Sequence, residues 1–156
     1  MKRLIAFLML LAVITGVSDA ACEDRLVFIL CNPKTPVNVR IRPKKGTEIV
    51  GRLDFGDSIT TDGKTRNGFL HVLGIGEAGE GWIRTGYAVD DQPEELERAR
   101  ANVAASGRVM SYRRIGGSKN GWVNIGTDVR VLAVSDEWAV TSRGYIRTKY
   151  LEIWYE

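Results

Sequence analysis

The chain carries one histidine, His71, and two cysteines, Cys22 and Cys31. Any Ser-His-Asp or Cys-His site would have to use His71 as its base. A zinc centre of the usual nitrogen-and-sulfur kind draws on about four such ligands, so no metal and no cofactor is expected. The sharp reading of His71 pairs it with Cys31, but Cys31 has a competing use described below. The second half of an internal repeat has Val140 or Thr141 where His71 stands. The chain is therefore read as non-catalytic. The glycine-rich stretch Leu73 to Glu80 is the one feature that could act as an active-site lid, and it keeps an enzyme reading on the table.

Binding chemistry is better supplied. Phe69, Trp82 and Tyr87 form one aromatic set, and Trp138, Tyr145 and Tyr150 form a second. Rings in a groove between loops stack on a sugar or grip a peptide; in small domains the same rings also build the core. Trp122 and Trp154 fall outside both sets and are expected at exposed or interface positions. Arg40, Arg42, Arg84 and Arg147 alternate with apolar residues and so share outward faces. They suit carboxylate partners, or they shield strand edges with charge.

Positioning begins with an address. Lys2 and Arg3 precede an unbroken apolar run from Leu4 to Ile14, followed by small residues through Ala21. This is the layout of a secretory signal over residues 1–20, too short in its apolar part to span a bilayer comfortably, with cleavage expected after Ala20 and a retained membrane anchor as the competing reading. No membrane span is expected afterwards, and the protein is placed outside the cytoplasm, in a periplasm or the extracellular space. Lipidation of Cys22 is the alternative; Asp19, three places earlier, puts a charge where an apolar residue is wanted. Loss of residues 1–20 removes two cations and one anion from a chain of net charge +3. So mild a balance gives no case for nucleic acid. In an oxidising compartment Cys22 and Cys31 are expected to pair, with an intermolecular bond as the competing outcome.

The rest of the chain repeats once. Gly81-Trp82-Ile83-Arg84-Thr85-Gly86-Tyr87 is matched by Gly144-Tyr145-Ile146-Arg147-Thr148-Lys149-Tyr150, and Gly68-Phe69 is answered by Glu137-Trp138. The first copy holds a longer hairpin at residues 73–80. Alternation in Val37-Asn38-Val39-Arg40-Ile41-Arg42 and in Val129-Arg130-Val131-Leu132-Ala133-Val134 has the two-residue period of half-buried strands. With 17 glycines for turns, the chain reads as mainly β: two small barrels or sandwiches in tandem. Between them, residues 90–102 read as a short acidic helix. Pro93 suits its first turn, acids follow, and Arg98 and Arg100 close it. The expected division is a signal at 1–20, a first unit at 21–89, a helical connector at 90–102 and a second unit at 103–156.

Asn38-Val39-Arg40-Ile41-Arg42-Pro43, Ile49-Val50-Gly51-Arg52-Leu53 with Gly56-Asp57, Gly68-Phe69, and Gly81-Trp82-Ile83 with Tyr87 resemble the bacterial SH3 (SH3b) domain. The second copy resembles it less: Arg108-Val109-Met110-Ser111 stands in place of Asn-Val-Arg. The resemblance implies two tandem SH3-like β-barrels that bind cell-wall peptidoglycan or a cell-envelope protein. Candidate contacts are Phe69, Trp82, Tyr87, Trp122, Trp138, Tyr145, Tyr150, Arg84 and Arg147. A second reading is a periplasmic inhibitor or scaffold that binds one specific protein.

Overall fold

The computed structural model describes residues 23–104 and 107–155. The signal expected over residues 1–20, and Cys22, lie outside the described residues. Among those described, no helix is long and apolar enough to cross a membrane.

Two sheets account for the fold. The first contains β1 (Arg25–Ile29), β2 (Val37–Arg40), β3 (Ile49–Leu53), β4 (Ser58–Thr61), β5 (Thr65–Arg66), β6 (Phe69–Leu73), β7 (Glu80–Arg84) and β8 (Ala88–Val89). The second contains β9 (Glu94–Val103), β10 (Arg108–Tyr112), β11 (Lys119–Asn124), β12 (Asp128–Val134), β13 (Trp138–Thr141), β14 (Gly144–Arg147) and β15 (Leu151–Tyr155). Single 3-10 turns, Thr85–Tyr87 and Thr148–Tyr150, follow β7 and β14.

The strand orders are β3-β2-β7-β6-β4-β1-β8 and β11-β10-β14-β13-β12-β9-β15, with β5 attached to β6. They correspond strand for strand, so the sequence repeat is a topological one. Both hydrogen-bonded paths are open. The expected closed barrels are not formed: in the first sheet β8 pairs with β1 alone and β3 with β2 alone, and in the second β15 pairs with β9 alone and β11 with β10 alone.

The connector helix is also not formed. Residues 94–103 are β9, which holds in the second sheet the place that β1 holds in the first. Ala99, Ala101 and Val103 point inward at the strand period, and β12 and β15 take up both edges of β9. Those two ladders outweigh the local helix signals of Pro93, the acids and the arginines, because propensity is weak beside tertiary pairing.

Each sheet folds over its own core. Val27, Ile29, Val39, Val72 and Ile83 anchor the first, and Val103, Val129, Val131 and Ile146 the second. The expected alternation of β2 holds through Arg40 and then ends. A bulge follows Val39, and Ile41 is 48% exposed. A third cluster joins the sheets: Leu30 of the first packs with Ala133, Trp138, Val140 and Tyr145 of the second. Within it, the Tyr145 hydroxyl donates to the Leu30 carbonyl over 3.1 Å.

The junction also explains a difference between the repeats. Gly86, in the first 3-10 turn, lies so close to the loop between β10 and β11 that a Cβ would stand 2.1 Å from the Ile115 carbonyl oxygen. Only glycine fits there. The equivalent Lys149 is exposed.

Candidate functional site

The repeated Ile-Arg-Thr segment builds the same local device twice. Ile83 and Ile146 are fully buried and pin their strands, which turns Arg84 and Arg147 to the opposite face. The Thr85 amide donates to the Gly68 carbonyl over 3.2 Å, and the Thr148 amide to the Glu137 carbonyl over 3.0 Å. Each 3-10 turn is thereby fixed beside the strand that carries the paired aromatic. The Arg84 guanidinium then lies 4.1 Å from the centre of the Phe69 ring, and that of Arg147 lies 4.7 Å from the centre of Trp138.

Each device opens on a groove. The first, of about 400 Å³, is lined by Pro36, Val37, Asn38 and Arg40, by Phe69, Arg84 and Tyr87, and by Lys45 and Arg114. The second, of about 460 Å³, is lined by Arg108, Met110, Tyr112, Trp122, Arg147 and Tyr150. β2 and β10 hold equivalent places in the two sheets, so the grooves are equivalent too. Trp122 is 55% exposed, and Arg108 stacks 4.4 Å from its ring centre. Rings beside guanidinium groups can hold a ligand that is apolar on one side and anionic on the other.

The grooves differ in charge. Arg147 is bound to Glu137 at 3.0 Å. The first copy has Gly68 in place of Glu137, and among the described residues Arg84 meets the Phe69 ring and the Asn67 carbonyl, at 3.5 Å, but no carboxylate.

No family model matches the chain, and no curated protein does. Among solved structures it is similar to NlpC2 from Trichomonas vaginalis, with 19% identity over 83% of this chain and 48% of that one, and a TM-score of 0.34. It is also similar to NlpC1 from the same organism, with 20% identity over 83% of this chain and 46% of that one, and a TM-score of 0.35. The chain spans less than half the length of either.

Of the residues picked out from sequence, Phe69, Arg84 and Tyr87 meet in the first groove, and Trp122, Arg147 and Tyr150 in the second. Trp138 and Tyr145 are drawn instead into the packing between the sheets. Burial, then the nearby Tyr87 and Cys31, push the Tyr145 phenol far above its ordinary range, so it stays a donor to Leu30. Trp82 stacks on His71, with ring centres 4.7 Å apart, and lines neither groove. Trp154, expected at an exposed or interface position, is 38% exposed on β15. Sequence reasoning passed over Lys45, Arg108, Met110, Tyr112 and Arg114. The correspondence of Arg108-Val109-Met110-Ser111 with the first copy's Asn-Val-Arg carried a signal for Arg108. Nothing local marked Arg114.

His71 is buried against Asp62, with Nδ1 3.0 Å from the carboxylate, and its Nε2 is 3.5 Å from Glu80. Burial alone would raise the pKa of Asp62. The Lys64 ammonium and amide, together with the His71 ring, outweigh that and hold it at about 2. The ionised carboxylate can only accept, so Nδ1 is the donor in this contact. The side-chain partners of the imidazole among the described residues are thus carboxylates and Trp82. The stretch at 73–80 does not form a lid: Ile75 is 6% exposed in the first core, and Gly74 is tied to Gly79.

Cys31 carries a free thiol, 2% exposed, and the disulfide expected with Cys22 is not seen at this residue. Burial first, then Asp54 and Asp57, raise the thiol to about 11.

Proposed function

We propose that the chain is an exported, non-catalytic binding protein made of two SH3b-like units, and that it recognises cell-wall peptidoglycan or a cell-envelope partner through its two equivalent grooves. The observation that carries this reading is the duplication of one binding device. In both units an arginine closes a strand, a tyrosine ends the 3-10 turn after it, and both face a groove of several hundred cubic ångströms. Packing explains the buried rings of Phe69 and Trp138 and part of Tyr87 and Tyr150, which also rest on the cores, but not an arginine kept at a groove in both copies. Two grooves on one body suit a repetitive ligand, because a second engaged site adds avidity without any new kind of contact.

The test is co-sedimentation of the mature protein with purified, insoluble peptidoglycan at low and at high salt. The protein is expected in the pellet at low salt, and Arg84→Ala with Arg147→Ala is expected to release it at least tenfold. A native protein that stays in the supernatant at low salt would sink the wall-binding form of the proposal.

A further inference from the structure

We propose that the first groove is a composite site for a short peptide rich in carboxylates, and that it is complete only when the second unit supplies Arg114. Four cations border this groove: Arg40, Lys45, Arg84 and Arg114. Among the described residues, none of the four has a carboxylate within ion-pair distance. Two of the four do have neutral partners: the Arg40 guanidinium donates to the Thr47 carbonyl and that of Arg84 to the Asn67 carbonyl, and both bonds leave the positive charge in place. Four unneutralised cations around one cavity repel one another, and a bound anion relieves that repulsion.

The composite character follows from Gly86. Its missing side chain lets the loop between β10 and β11 sit on the first 3-10 turn at Ile115, and Arg114 precedes that contact by one residue. The second unit thus contributes Arg114 to the lining of a groove otherwise built by the first. The second groove, wholly its own unit's, has its central arginine already paired with Glu137. The two grooves therefore differ in degree: the first gathers four cations without a carboxylate partner, while the second keeps Arg108, held over the Trp122 ring, beside an Arg147 already paired with Glu137.

The first groove's chemistry favours a peptide over a bare anion. Pro36, Val37 and the Phe69 ring line it with apolar surface that a small inorganic ion leaves uncovered. Guanidinium forks match carboxylates two-pronged, and a peptide backbone would meet Asn38 and Tyr87 between them.

The experiment titrates the mature, full-length protein and follows backbone amide shifts by NMR. Its probes are a peptide with two glutamates and a free carboxyl end, the same peptide with glutamines and an amidated end, and inorganic phosphate. The acidic peptide is expected to saturate, moving residues 35–40 and 84–87, and to weaken as salt rises. Arg84→Gln and Arg114→Gln should each raise its Kd at least tenfold. Lys45→Gln, at an exposed site where folding is not at stake, should raise it severalfold. The proposal is overturned by absence of saturation, by equal binding of the neutral peptide, by phosphate alone binding as tightly, or by an Arg114→Gln variant that folds and binds normally. The site rests on the binding-module reading, but the two can fail separately. Peptide binding without pelleting on wall leaves the site standing and removes the wall ligand. Pelleting that survives Arg84→Gln and Arg114→Gln does the reverse.

Discussion

The hydroxyl of Tyr145 and the carbonyl of Leu30, 115 residues apart in sequence, form a buried hydrogen bond of 3.1 Å between the two sheets. Leu30 is fully buried and Tyr145 is 5% exposed, so neither group has water as a substitute. Removing the hydroxyl by Tyr145→Phe leaves a buried acceptor without its donor, at a cost of about 1–3 kcal/mol. Denaturant unfolding should show a lower midpoint. Were Tyr145→Phe to unfold at the native midpoint, the bond would not be holding the sheets together.

Gly86→Ala places a methyl group against the Ile115 backbone, where neither side can yield without moving the loop. The expected destabilisation is about 1–3 kcal/mol, typical of overpacking. The equivalent exposed position serves as control: Lys149→Ala should stay within about 0.5 kcal/mol of the native protein. Thermal melts of the two variants make the comparison. Because Arg114 adjoins Ile115, Gly86→Ala should also weaken any anionic ligand of the first groove.

Asp62 gives the fold an acid limit. Its carboxyl lies at about 2 in the folded chain against an ordinary 3.8, so the unfolded state binds the proton more readily. The stabilisation from this group is fully present above about pH 4. It is lost as the pH falls through the window from 3.8 towards 2. Denaturant midpoints measured across that window should fall for the native protein, and Asp62→Asn should flatten this part of the profile.

Cys31 should behave as an inert core residue. With a thiol raised to about 11 and 2% exposure, almost none of it is thiolate at pH 8. In a Cys22→Ser background, a thiol reagent at pH 8 should label nothing until denaturant is added. Rapid labelling of the folded protein would contradict the buried placement.

These features divide by how local their causes are. The strand–turn–tyrosine device was legible because Gly81–Tyr87 and Gly144–Tyr150 carry it in seven consecutive residues, and the equivalence of Phe69 with Trp138 followed from the same repeat. Residues 94–103 are ambiguous in sequence because Leu96, Ala99 and Val103 fit a helical face while Ala99, Ala101 and Val103 fit a strand. The partners that decide between them, β12 and β15, come later in the chain. The sharing of the first groove between units was illegible for the same reason. Arg114 reaches it through a contact between Gly86 and Ile115, and no spacing in the sequence encodes that contact.

Ligand held in the two equivalent grooves must perturb the backbone of both. The most direct measurement is an amide-shift map of the mature protein titrated with solubilised peptidoglycan fragments. Saturable shifts are expected at 35–40 and 84–87 in the first unit and at 108–112 and 147–150 in the second. Each set should be lost with its own arginine, Arg84 or Arg147. Shifts confined to the His71 and Trp82 face, or no saturable shift at all, would contradict binding in the grooves.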